Sequence, residues 1–192
     1  MSSLKAIDKR VAKRRQVYKA VLSNPFVNEE QLWPHVKDQQ LVQELLQKHV
    51  LNKLQHLREM NIPKQEWPFD SITDFNEVYS YLSQKDSNEE VLLFVCNKDP
   101  DVPSVMLQQI PLMSYISSIK VTLIQLPKGS LAMIQKFIDL PYGLLLLPTK
   151  HLDPIFLQQI HEQVLKQDLP WLAPLKYKST DIKLVKSSAP LK

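Results

Sequence analysis

Glycine is nearly absent from this chain: Gly129 and Gly143 are the only two in 192 residues. A phosphate-cradling loop needs several glycines, because its backbone must approach the phosphate through conformations that side chains obstruct. Most nucleotide-binding enzyme classes are therefore excluded. Cysteine is scarcer still. Cys96 stands alone, which rules out an internal disulfide. With a charged N-terminus that lacks a signal-peptide hydrophobic region, it points to a reducing compartment. No apolar run approaches the ~20 residues that cross a bilayer, so no membrane partner is expected. A nucleophile with its base is missing too. Cys96 has no histidine near it in sequence, and His161-Glu162 lacks the second histidine of a zinc-protease helix, because Leu165 stands four positions on. The expectation is a chain with no catalytic residue, metal site, cofactor or small-molecule substrate of its own.

What is present is a modest basic excess, 24 Lys and Arg against 20 Asp and Glu, placed unevenly. Residues 1–20 hold Lys5, Lys9, Arg10, Lys13, Arg14, Arg15 and Lys19 against Asp8. So basic a segment repels itself and resists burial, and 1–25 is expected to be an arm that orders on a partner. Lys9, Arg10, Lys13, Arg14 and Arg15 are candidates for nucleic-acid phosphates, whose neutralisation releases counterions. A nuclear import signal is a second, compatible reading, and a solvated helix a third.

Residues 26–170 read as a single α/β domain. Asp38 is a plausible cap for a helix in which Leu41, Val42, Leu45, Leu46, Val50, Leu54 and Leu57 recur at helical steps, ending near Met60. A loop around Trp67-Pro68-Phe69 leads to a helix capped by Thr73 or Asp74, with Phe75, Val78, Tyr79 and Leu82 on its apolar face. Val91–Val95, Lys120–Leu126 and Gly143–Leu147 are apolar enough for strands of one sheet buried on both sides. Helical patterns between them cover that sheet. Asp153-Pro154 starts a further helix with Phe156, Ile160 and Val164 in a stripe. After Trp171 comes a basic extension, 171–192, whose alternation around Thr180 to Leu184 suits an edge strand or an RNA backbone. The fold expected is a three-layer α/β/α sandwich with a mixed, roughly four-stranded sheet, a basic N-terminal arm and a C-terminal extension.

An Asn76-Glu77 pair opening a helix, an apolar strand, Pro103 to Pro111-Leu112-Met113, a second strand and the Pro127-Lys128 loop together resemble the kink-turn-binding superfamily of small RNA-binding proteins (ribosomal, L-seven-Ae-like). Ala12 to Tyr18, Leu93 to Pro103 and Leu107 to Leu112 are similar to one divergent branch of it, the fungal Pop-three subunits of nuclear RNase P and RNase MRP. That resemblance implies a non-catalytic subunit of two ribonucleoproteins whose RNA does the chemistry, Mg²⁺ included. They remove 5′ leaders from precursor tRNA and cut precursor rRNA. Its partners would be RNase P RNA, RNase MRP RNA and other protein subunits, in the nucleus and nucleolus.

The resemblance also implies an RNA-facing sheet edge carrying Asn76, Glu77, Lys98, Lys128 and Tyr142. In the superfamily the Asn-Glu position reads sheared G·A pairs, and the loop holding Tyr142 touches a flipped-out base. Stacking and packing both remain open for Tyr142. At the start of a helix a phosphate can also take unpaired backbone N–H groups. Where the superfamily has Gly two positions before the Asn and Lys four after it, this chain has Asp74 and Ser80. Those changes remove a cation and add an anion, which favours the alternative of a protein-interaction adapter that no longer reads a kink-turn directly.

Overall fold

Three strands make the central sheet of the protein: β2 (Glu90–Val95), β3 (Lys120–Gln125) and β4 (Leu144–Pro148), in the order β3-β2-β4. The computed structural model describes residues 14–23, 32–84, 89–167, 169 and 181–190. Strand β2 runs parallel to β3 from Glu90↔Lys120 to Val95↔Gln125, and antiparallel to β4 from Val91↔Pro148 to Val95↔Leu144. Val91 to Val95 and Leu144 to Leu147 are all 0% exposed. Successive side chains on a strand point to opposite faces, so full burial along both strands requires cover on both faces. The α/β layering expected from the apolar runs follows from that. Beyond β4, Ile72 forms an antiparallel bridge with Leu146, each residue giving its N–H to the other's carbonyl.

Helix α1 (Gln39–Leu46) passes through a π segment (Gln47–Leu51) into α2 (Asn52–Glu59). Asp38 caps it by accepting from Leu41 N–H, and Met60 closes it. The periodicity predicts one plain helix, and the π segment is the difference. Its wider turn brings Leu51 into the core beside Val50 while Leu41 stays 38% exposed. Helix α3 (Phe75–Leu82) buries Val78 and Leu82. Short helices α4 (Ser104–Leu107) and α5 (Ile110–Ile116) precede β3, and α6 (Ser130–Ile134) follows it. Helix α7 (Pro154–Gln163), capped by Asp153, buries Phe156 and Ile160. These faces join the strands in one core running from Val36 to Ile160.

Residues 30–170 form one compact unit, and residues 1–29 with 171–192 the other. In the second, β1 (Arg14–Ser23) pairs antiparallel with β5 (Asp181–Pro190), from Arg14↔Pro190 to Ser23↔Asp181. The C-terminal alternation thus finds its partner in the N-terminal segment, and the central sheet keeps its own three strands. Charge counting hides the strand tendency of Val17 and Tyr18, which interrupt the basic residues of β1.

Candidate nucleic-acid interface

Topology alone gathers three loops at one sheet edge. β2 and β3 are parallel, so both end there. β4 is antiparallel, so it begins there. The loops after β2 and β3 carry Lys98 and Lys128, and the loop before β4 carries Tyr142.

Asp99 ties the first two loops together. Its carboxylate is buried, 7% exposed, and accepts from Gly129 N–H and from Leu131 N–H at 2.8 Å. Those donors open helix α6, so the anion satisfies amides that have no partner within the helix. Lys98 and Lys128 flank this clasp and stay exposed. Lys98 Nζ donates to Gln39 Oε1 at 3.0 Å, at the start of α1. Among the described residues no ion pair engages either lysine.

Gly143 fixes the third loop. Cys96 N–H donates to its carbonyl at 2.9 Å, and it adopts φ +66°. A Cβ built there would lie 2.8 Å from Val102 Cγ2, so neither the backbone nor the space admits a side chain. Gly129 also has positive φ, +91°. Both glycines of the chain thus serve turns at this one edge. Asn97 Oδ1, in the loop after β2, is buried and meets no hydrogen-bond donor among the described residues.

Helix α3 reaches the same edge. Phe75, its first residue, makes an edge contact with Tyr142, ring centroids 6.2 Å apart. Asn76 and Glu77 follow, both exposed. Their backbone N–H groups, the ones a phosphate would take, already donate to Asp74 Oδ1 at 2.8 and 3.1 Å. What remains for a partner is the amide and carboxylate side chains.

Of the arm candidates, Lys9, Arg10 and Lys13 lie outside the described residues. Arg14 and Arg15 begin β1, in the other unit. Cys96 is 1% exposed, and burial, with Asp99 as a second cause, pushes its thiol up from 9.0 to about 12. A thiol held that way is no nucleophile. Among the described residues no group of three or more His, Cys, Asp or Glu is disposed to hold a metal.

Three features escape sequence reasoning. The Asp99 clasp joins residues 30 positions apart. Glu90 Oε1 pairs with Lys120 at 2.8 Å and with His161 at 3.1 Å, and His161 Nε2 also lies 3.3 Å from Thr122 Oγ1. The stretch Leu32–Lys37 is bound to the end of α7. Only the Asp99-Pro100 turn beside a strand end hinted at any of these.

A family model described as RNase P subunit Pop3 matches residues 13–174. The chain is 47% identical over 191 residues to a Saccharomyces cerevisiae protein described as "Ribonucleases P/MRP protein subunit POP3". That alignment covers 98% of this chain and 95% of the yeast protein.

Proposed function

Because the chain belongs to the RNase P subunit Pop3 family, we propose that it is a non-catalytic protein subunit of the RNase P and RNase MRP ribonucleoproteins. It binds and stabilises the RNA that removes 5′ leaders from precursor tRNA and cleaves precursor rRNA, in the nucleus and nucleolus, alongside other protein subunits. It needs no cofactor of its own. The observation that carries this reading is the end-to-end similarity to the yeast subunit, 47% over nearly the whole of both chains.

Physical chemistry supports the same reading. The sheet edge presents Lys98 and Lys128 without carboxylate partners among the described residues, beside the Asn76 and Glu77 side chains and the Tyr142 ring. Cations position an RNA backbone, and amide, carboxylate and ring read unpaired or sheared bases. Arg14, Arg15 and the preceding Lys9, Arg10 and Lys13 add a second basic contact. The test is a footprint of the purified chain on RNase P RNA and RNase MRP RNA. Protection of a defined element, abolished at high salt, is the expected result. An unprotected RNA would sink the binding claim.

One observation favours the adapter reading. Asp74 closes the helix end that a phosphate would occupy and leaves a negative charge there. If the adapter reading holds, Glu77→Ala leaves RNA affinity unaltered and the particle loses a protein neighbour.

A further inference from the structure

A pocket of about 420 Å³ opens beside Lys98, and its other walls come from residues that have been given no RNA-binding role. Trp33, His35, Lys37, Gln39, Lys98 and Gln125 line it. We infer that this pocket holds one unpaired nucleotide of the bound RNA, its base on the Trp33 ring and its phosphates between Lys37 and Lys98. The inference rests on the RNA-subunit reading and adds a second subsite to it.

The pocket is built before any ligand arrives. Val36 bridges Val164, Lys37 N–H donates to Gln163 O at 2.9 Å, and Leu165 N–H donates to His35 O at 2.9 Å. Gln167 Nε2 donates to Leu32 O at 2.7 Å. A segment clamped at both ends to the last residue of α7 and the residues that follow it loses little entropy on binding. Trp33 packs its inner side on the core while part of the ring stays accessible, which leaves an apolar surface for a base.

The charges suit a phosphate. Lys37 Nζ donates to Glu162 O at 2.8 Å and Lys98 Nζ to Gln39 Oε1 at 3.0 Å, both neutral acceptors. Two ammonium groups are therefore fixed in position with their charge uncompensated by any ion pair among the described residues. The one carboxylate in the wall, Asp38, is directed into α1, where it accepts from Leu41 N–H. Gln39 and Gln125 supply amides, which can donate to and accept from a base edge. A ring, two cations and two amides in a volume that suits one nucleotide match single-strand recognition, where stacking gives the affinity and amides the preference. A peptide side chain would leave the two cations without a partner unless it were acidic.

The experiment uses the full chain on transcribed RNase P RNA, measuring affinity and probing the RNA nucleotide by nucleotide. Trp33→Ala should weaken binding by about 10-fold, as removal of one stacked base does. It should also expose one unpaired nucleotide that the wild type protects. Trp33→Phe should restore that protection. Lys37→Gln, which keeps an N–H donor on the side chain and removes the charge, should lower the slope of log affinity against log salt by about 0.7. Circular dichroism separates impaired stacking from impaired folding in Trp33→Ala; if that variant unfolds, Trp33→Phe and Lys37→Gln decide. Wild-type binding with unchanged affinity, protection and slope in the variants overturns this inference alone. Wild-type protein that binds no RNA overturns the RNA-binding reading with it. Unchanged RNA binding with disappearance of a co-purifying acidic protein reassigns the pocket and also overturns it.

Discussion

Gly143 carries more structural constraint than its size suggests. Its φ of +66° and a prospective Cβ at 2.8 Å from Val102 Cγ2 mean that Gly143→Ala adds strain and a clash together. The expected destabilisation is about 1–3 kcal/mol, read by denaturant unfolding, with the Tyr142 loop displaced along with it. Cys96 makes a pH prediction. Burial raises its folded value from 9.0 to about 12, so the folded state keeps the proton that the unfolded state gives up. The stability this represents is intact below pH 9.0 and falls as pH rises toward 12, by at most about 1.4 kcal/mol per pH unit. Unfolding midpoints measured between about pH 8 and 10 should decline for the wild type and decline less for Cys96→Ala. At neutral pH the thiol should react with a thiol reagent only after unfolding.

At the scale of elements, β2 is the strand on which the others depend, flanked by β3 on one side and β4 on the other. Leu93 is 0% exposed in its middle, so Leu93→Ala should cost about 2–5 kcal/mol. A cost below about 1 kcal/mol would contradict the central placement. Helix α3 offers a cleaner separation of structure from binding. Asp74→Asn retains a capping side chain at the Asn76 and Glu77 N–H groups while removing the charge. If RNA phosphates pass this helix end, Asp74→Asn should bind RNA more tightly than the wild type at equal stability. Affinity that stays the same, or falls, places the RNA elsewhere.

Considered whole, the molecule keeps its apolar core within residues 36–160, inside the unit that spans 30–170. A two-stranded ribbon such as β1 and β5 is marginal in water by itself. Residues 30–170 expressed alone should therefore unfold in one cooperative transition with stability near that of the full chain. RNA binding divides differently. Removing residues 1–20 should lower the slope of log affinity against log salt by ~0.7–0.9 for every phosphate that the arm had neutralised. A slope that does not change would leave nuclear import as the role of that segment.

The sequence by itself determined the α/β class, the three central strands, the helix starts at Asp38, at Thr73 or Asp74, and at Asp153, and the family, and the structure chose Asp74. These are local matters, decided by apolar periodicity, capping chemistry and runs of identity within a few residues of one another. Parallel β2 and β3 with antiparallel β4 were not written in any one stretch, yet that topology is what collects Lys98, Lys128 and Tyr142 at a single edge. Other decisions also belonged to the tertiary structure. The π turn at Gln47–Leu51 buries Val50 and Leu51 together, and the Asp99 clasp answers to where α6 begins. The binding of Leu32–Lys37 to α7 joins segments more than 100 residues apart. Each depends on which groups meet across the fold, because a buried carboxylate or an open helix end is satisfied by whatever lies within about 3 Å, however far away in sequence.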